Sequence, residues 1–303
     1  MPRHAIRLRS PFQGPNRPLT EVHPIPRRIL VTGAAGKLGT FLRRELGNTY
    51  QLRLTDRLPV ENLAGHEEFV GGDLRSMDDT MAMVDGVEGV VHLGGIPGED
   101  DWPSILQANI EGTYHVFEAA RLADVERIVF ASSNHTVGFS PTTSTIGTDA
   151  LVRPDSRYGV SKVFGEALGS LYADKYGRKV TCLRIGHATE RPATTARSGR
   201  WLSPRDLAQL VRIGLDHPEI HYEVLFAISD NDRAIWDIER ARELGYRPQD
   251  RAEDHTDPAD SSAPGPNDQY SGGDYVVSEG GGHPPQGPRP RSRKSRRRLW
   301  RPR

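Results

Sequence analysis

Two short stretches carry residue types whose spacing suits chemistry: Ser132-Ser133 and Tyr158-Gly-Val-Ser-Lys162. On a helix, Tyr158 and Lys162 stand at i and i+4 and share a face. An ammonium beside a phenol favours the phenolate and lowers a pKa that starts near about 10. A phenol acidified in this way takes a proton from an alcohol while hydride leaves the same carbon for an acceptor. Alone, the pentapeptide is no more than ordinary helix surface. It gains meaning from what precedes it, a glycine-rich turn far upstream and then the strand that ends in Ser132-Ser133.

Gly33-Ala-Ala-Gly36-Lys37-Leu38-Gly39 directly follows the apolar run RILVTG and opens a helical pattern. Glycines so placed allow a tight turn, let backbone N–H groups approach a pyrophosphate, and bring helix against strand, while the helix N-terminus adds positive potential. A Walker A loop does not fit. It needs four residues between its first Gly and Gly-Lys, followed by Ser or Thr, whereas Leu38 follows Lys37 here. Asp56 closes the next strand, where a carboxylate accepts hydrogen bonds from a ribose 2′-OH and repels a 2′-phosphate, so NAD is expected rather than NADP. Arg57 beside it leaves NADP open, and a plain strand-end turn is the other reading of Asp56. Asp73 and Leu74 end the third strand where an adenine edge would lie. Leu93, Gly94 and Gly95 end the fourth, where bulk would block a cofactor. All are strand C-termini, the ligand side of open α/β sheets.

The elements needed to position these residues are legible as alternating patterns. Segments 28–33, 51–56, 68–73, 89–95, 127–133 and 179–186 read as strands, several of them near-continuous apolar runs suited to parallel strands buried on both faces. Helical patterns fill 37–47, 77–85, 104–123 and 157–177. Ser203-Pro204 starts another helix, reaching about residue 217, followed by VLFAIS and a last helix around 234–244. The expected fold class is α/β, a Rossmann-type doubly wound parallel sheet with a small C-terminal substrate-binding portion and disordered termini.

Composition divides the chain in the same way. Its 303 residues hold 40 basic and 40 acidic groups, but residues 1–28 carry +5, 29–255 carry −9 and 256–303 carry +4. Prolines crowd the ends, so 1–26 is expected to be a disordered basic extension, 27–255 the folded body and 256–303 a disordered Pro/Gly/Arg-rich tail. A lone cysteine, Cys182, rules out an intramolecular disulfide framework. With no apolar run near the roughly 20 residues of a membrane span and no secretory signal pattern, a cytoplasmic protein without a membrane partner is expected. The acid-free cluster from Arg289 to Arg303 attracts nucleic acid electrostatically, yet no folded nucleic-acid module accompanies it, so none is expected as partner. No His or Cys cluster has metal-ligand spacing.

Taken together, the glycine loop, the Ser-Ser strand end and the Tyr-Lys helix resemble the extended short-chain dehydrogenase/reductase superfamily over roughly 27–250. The resemblance implies that Ser133 positions or polarises the substrate oxygen, that Tyr158 is the general acid/base, and that Lys162 holds both Tyr158 and the nicotinamide ribose. It also makes Asn109 of QANIEGT a structural and cofactor-side residue, sets Ile185 of LRIG beside the cofactor, and implies a homo-oligomer through helices 104–123 and 157–177. VTGAAGKLG, VHLGGI, RIVFASSNHTVGF, RPDSRYGVSKVFGE and LRIG are similar, more narrowly, to the bacterial uronate dehydrogenases. Those enzymes oxidise C1 of galacturonate or glucuronate with NAD to an aldarolactone, which implies a sugar-acid substrate touched by Ser133, Asn134 and His135. Two departures stand out. His187 occupies a position where those enzymes carry Ser, and Ala196 one where they carry an Arg for the substrate carboxylate; the adjacent Arg197 is expected to replace it, with Arg191 and Arg200 also near. The alternatives are a nucleotide-sugar epimerase or dehydratase retaining NAD, for which little chain remains after Tyr158, and a non-catalytic NAD-sensing scaffold, which has no need of a proton donor.

Overall fold

The protein is described by a computed structural model over residues 26–192, 195–256 and 266–276. In chain order it runs β1 (Arg28–Thr32), α1 (Lys37–Leu46), β2 (Gln51–Thr55), β3 (Glu67–Phe69), α2 (Met77–Val84) and β4 (Gly89–His92). Then come α3 (Trp102–Ile105), a π-helical turn (Leu106–Glu111), α4 (Gly112–Leu122), β5 (Arg127–Ser133), α5 (Arg157–Tyr176) and β6 (Lys179–Ile185). The remainder is β7 (His187–Ala188), a 3₁₀ turn (Thr195–Arg200), β8 (Trp201–Leu202), α6 (Pro204–Asp216), β9 (Tyr222–Ala227) and α7 (Glu239–Glu243). Seven strands form one parallel sheet in the order β3-β2-β1-β4-β5-β6-β9. This is the doubly wound sheet the alternating pattern predicts, and its order reverses between β1 and β4.

Because successive side chains on a strand point to opposite faces, the apolar runs supply two cores at once. Ile29, Val31, Leu52, Val91 and Val129 pack with α1 and with Leu207, Leu210 and Leu215 of α6 on one face. Leu30, Val90, Ile128 and Phe130 pack with Met83, Val116, Phe117, Leu168 and Tyr172 on the other. Helix boundaries follow local chemistry. The hydroxyls of Ser76, Ser156 and Ser203 accept from the backbone N–H of Asp79, Gly159 and Asp206, and α5 ends on Gly177 in the left-handed region at φ 68°.

The structure redraws several expected boundaries. Strand three stops at Phe69 and strand four at His92, since the glycines beyond them leave the sheet; Gly95 takes φ 136°. The helix expected over 104–123 is interrupted by the π turn around Asn109, whose amide is engaged with Ile96. The last helix starts only at Glu239, because Trp236 forms an isolated bridge with Ile146 instead. Within the tail expected from 256 onward, one described stretch departs from expectation. Residues 266–276 lie against the body, with Ser271 N–H donating to Ser140 O at 2.9 Å, Gly272 N–H to Gly138 O at 2.8 Å and Trp236 Nε1 to Ser271 Oγ at 3.0 Å. Composition predicts no core there, but backbone pairing and a buried hydroxyl need no apolar pattern.

One polar contact sets the position of α5. Glu166 and Arg184 form a bidentate pair at 2.9 Å in each arm, with side chains 6% and 3% exposed, and Ser132 Oγ donates to Glu166 Oε1 at 2.6 Å. It ties α5 to β5 and β6. Glu166→Ala leaves the Arg184 charge buried without its partner, and is expected to cost about 3–5 kcal/mol, measured as a lower denaturation midpoint.

Candidate active site

A cleft of about 1190 Å³ opens along the C-terminal ends of the strands. At one end the glycine loop behaves as its sequence implies. Gly33 sits at φ 68°, and a Cβ on it would lie 2.9 Å from Gly94 N, so loop and β4 end approach through two residues without side chains. Gly36 caps α1 with no side-chain hydrogen bond, which leaves the helix N-terminus facing the cleft. Gly39 is packed against Ala34, whose carbonyl O would be 2.5 Å from a Cβ, and it does not itself line the cleft.

Asp56 Oδ2 accepts from Ala35 N–H at 3.1 Å and Oδ1 from Leu58 N–H at 3.2 Å, so its carboxylate is fixed beside the loop with Arg57 next to it. Asp73 is gripped by Arg75 Nε at 2.9 Å, and that guanidinium holds the carboxyl below its ordinary range. Leu74, Leu93 and Gly94 complete this wall with Gly95.

Asn109 is a different matter. It is buried, its Oδ1 accepts from Ile96 N–H at 2.7 Å, and its Nδ2 donates to Ile96 O at 3.0 Å and to Ser161 Oγ at 3.2 Å. Both of its amide N–H groups and one Oδ1 lone pair serve to join the loop after β4 to α5, and it does not line the cleft. Its observed contacts are structural, and it stands behind the cleft wall.

The strand end and helix α5 bring Ser133, Asn134, His135, Tyr158 and Lys162 into the same cleft, with Ile185 and His187 across from them. Ser133 Oγ accepts from His135 N–H at 3.2 Å, and Lys162 Nζ lies 5.4 Å from the Tyr158 ring centre and 5.0 Å from that of Phe130. Burial dominates the electrostatics. It pushes Tyr158 up to about 12 against the opposing hydrogen bond from Ser133, with Tyr275 and Asp155 adding to the rise. Burial also pushes Lys162 down to about 8. In the protein's own groups the phenol is therefore raised, because desolvation exceeds the lowering effect of the Ser133 hydrogen bond. Nearby His92 is pushed down to about 3 by burial and by Lys162, and sits neutral between Thr32 Oγ1 at 2.8 Å and Thr113 Oγ1 at 3.1 Å.

Apart from Arg200, the far wall comes from residues that the sequence patterns do not single out. Arg200, Gly272, Asp274 and Tyr275 line it. Tyr275 lies over His135 with ring centres 4.1 Å apart, and Asn134 Nδ2 donates to Ser271 O at 3.3 Å. Arg200 Nη2 donates to Tyr270 O at 3.0 Å and pairs with Asp268 at 3.5 Å. Arg197 belongs to the 3₁₀ turn Thr195–Arg200, but its side chain lies outside the described residues. The only available signal for the wall was the aromatic pair Tyr270 and Tyr275 in an otherwise polar tail.

No group of three or more potential metal ligands occurs among the described residues, and no described helix is long and apolar enough to cross a membrane.

The buried ammonium has a measurable cost. Lys162 releases its proton near about 8 when folded and near 10.5 when unfolded. Between those values the unfolded chain binds more protons, so stability rises with pH across that window and the penalty is complete below it. A difference of that size corresponds to about 3 kcal/mol. Lys162→Met is therefore expected to stabilise the fold by up to about 3 kcal/mol at pH 7, with the gain shrinking toward pH 10. Denaturant titrations at the two pH values check this.

Comparison with known proteins places these features in context. Residues 29–197 match the family described as NAD dependent epimerase/dehydratase. The chain is 42% identical over 258 residues to a uronate dehydrogenase of Pseudomonas putida, covering 83% of this chain and 96% of that one. It is 38% identical over 252 residues to an NAD-dependent glucose-6-phosphate dehydrogenase of Haloferax volcanii, covering 75% and 95%. A crystal structure of a mutant uronate dehydrogenase from Agrobacterium tumefaciens complexed with NAD superposes with a TM-score of 0.78 at 40% identity, covering 82% of this chain and 97% of that one.

Proposed function

The chain belongs to the NAD dependent epimerase/dehydratase family, and on that premise we propose that it is an NAD-dependent dehydrogenase that oxidises C1 of a sugar acid, galacturonate or glucuronate, to an aldarolactone. The observation that carries this reading is one cleft lined both by the glycine loop and by Ser133, Asn134, His135, Tyr158 and Lys162. The residues present fit the cofactor. Gly33 and Gly94 let the loop close on the end of β4, since a Cβ on Gly33 would strike the Gly94 backbone and one on Gly94 would strike Leu74 and Thr32, and a fixed Asp56 carboxylate stands beside them for a ribose hydroxyl. Gly33, Gly36, Lys37, Leu38, Asp73, Leu74, Leu93, Gly95, Lys162 and Ile185 form the rest of its contact surface, with Gly39 and Asn109 supporting from behind. Bound there, oxidised NAD supplies the hydride acceptor.

In the proposed reaction Ser133 and Asn134 orient the C1 hydroxyl and Tyr158 Oη takes its proton. The C1–H electron pair leaves as hydride and C1 becomes the lactone carbonyl. Since burial holds the Tyr158 proton tightly, the Ser133 hydrogen bond is what opposes it, and the positive charge of Lys162, joined by that of oxidised NAD when bound, would favour the phenolate further. The body carries a net −9, so an acidic substrate needs a local cation. Among the described side chains at this end of the cleft, Arg200 is the guanidinium in place, and we assign it the carboxylate role expected of Arg197. His187 borders the same end. Exposed Tyr114, Leu122, Val160 and Leu171 on α4 and α5 support self-association through those helices.

Two experiments test this reading. Tyr158→Phe should abolish turnover and leave NAD binding intact; full activity would overturn the mechanism. NADH formation should be followed with galacturonate, glucuronate, glucose 6-phosphate, neutral hexoses and UDP-sugars. Turnover of the uronates is expected. The phosphate sugar alone would transfer the Haloferax relative's activity to this chain, neutral sugars alone would remove the acid, and no accumulation of free NADH with any sugar would point to an epimerase. Arg200→Ala should raise KM for the acid by about 10- to 100-fold, the size of a lost charge-assisted hydrogen bond, with kcat little changed.

A further inference from the structure

His135 is fixed on three sides, one of them by a carboxylate that the proposed reaction does not use. Its Nδ1 lies 2.8 Å from Asp155 Oδ2, and the Asp155 side chain is 0% exposed while that of His135 is 14% exposed. The other carboxylate oxygen, Oδ1, accepts from Ser156 Oγ at 2.9 Å, the same hydroxyl that caps α5 by accepting from Gly159 N–H at 3.0 Å. Two glycines seal the carboxylate. A Cβ on Gly138 would lie 1.9 Å from Asp155 Oδ2 and one on Gly272 only 1.7 Å, so both backbones are pressed against it. Gly138 belongs to the turn after β5, and Gly272 to the segment 266–276 that crosses over it. Tyr275 of that same segment covers one face of the imidazole at 4.1 Å, and Tyr158 meets the ring edge-on at 5.8 Å.

We propose that Asp155 is a positioning residue for the reaction: its sealed carboxylate fixes His135 as the Nδ1–H tautomer and turns the Nε2 lone pair toward the substrate end of the cleft. The chemistry follows from donor and acceptor types. An ionised carboxylate only accepts, so the ring nitrogen facing it carries the proton and the opposite nitrogen of the neutral ring accepts. His135 lines the cleft, and Asp155 occupies its Nδ1 edge, so Nε2 is the atom available to a ligand. It then accepts a hydrogen bond from a sugar hydroxyl, beside the oxygen that Ser133 and Tyr158 handle. Among the described residues, the charged or titratable groups in contact with the ring are Asp155 from the loop before α5, Tyr158 from α5, with Lys162 behind it, and Tyr275 from the C-terminal segment. Asp155 is the sole carboxylate among them. Tyr275 and the glycine seal make the segment 266–276 part of the same device, which a solvated tail could not be.

The proposal rests on the cleft being the sugar site, so its first test needs no sugar. Histidine-selective 15N spectra of the full chain, with the His135 signals assigned by their loss in His135→Gln, should show Nδ1 protonated and Nε2 unprotonated in the neutral ring. The opposite tautomer overturns the proposal whatever the substrate is, and this measurement stands even if a variant at Asp155 fails to fold. The second test is a double-mutant cycle with the sugar that the substrate screen selects. Asp155→Asn offers the ring an amide N–H and is expected to lower kcat/KM by about 100-fold, the size of a misplacement near the chemistry, with NAD affinity unchanged. In a His135→Gln background the same substitution should add nothing. An equal loss in that background, or a parallel loss of NAD affinity, would show that Asp155 only supports the fold.

Discussion

The buried ion pair between Glu166 and Arg184 is the contact on which the reacting centre depends. Tyr158, Lys162 and Glu166 follow one another at four-residue spacing, so they share a face of α5 and rotate together. Glu166 is held in both arms by Arg184 of β6 and receives a third hydrogen bond from Ser132 of β5. That arrangement fixes the rotation of α5 against the sheet, and with it the height of Tyr158 and Lys162 above Ser133. Close approach of the helix is possible because Gly165 lies against Phe130, where a Cβ would be 2.2 Å from the ring, and Gly169 lies against Val180 and Cys182. A fully satisfied buried pair specifies geometry more than it adds stability, which is the role it has here.

A second consequence of bringing α5 so close is desolvation. Tyr158 and Lys162 are both nearly inaccessible, and burial disfavours the charged form of each. The fold holds this pair in a state that its own groups do not make easy to ionise. Positive charge at the cofactor end of the cleft then has an energetic purpose beyond binding. Around this pair the core is otherwise regular, with two apolar layers enclosing the sheet on either face.

Charge is arranged on the same logic. The body is strongly acidic, so under the proposed reading an anionic sugar has to be received by a placed arginine and not by the general field of the molecule. Arg200 reaches its position through partners in the segment 266–276, the carbonyl of Tyr270 and the carboxylate of Asp268. The same segment roofs His135 with Tyr275 and closes over Asp155 with Gly272. One end of the cleft is thus built by local sequence around β1, and the other by chain that returns from a distance.

That difference explains how much was legible beforehand. The alternating apolar runs, the serine caps and the spacing of Gly33, Gly36 and Gly39 act between residues close in sequence, so they determined the parallel sheet, the helices and the glycine turn by themselves. Tyr158 with Lys162 was legible for the same reason, being one turn of one helix. Tertiary structure alone decided the rest. Asn109 was absorbed into holding Ile96 and Ser161, because a buried amide must spend its hydrogen bonds on whatever backbone reaches it. Tyr158 was raised instead of acidified, because desolvation depends on everything packed around a phenol and not on its neighbour four residues away. Asp155, Arg200 and Tyr275 acquired their places through contacts with residues 20 to 140 positions away in the chain, several of them in a segment whose composition carries no core signal, and such contacts leave no periodic mark in a sequence.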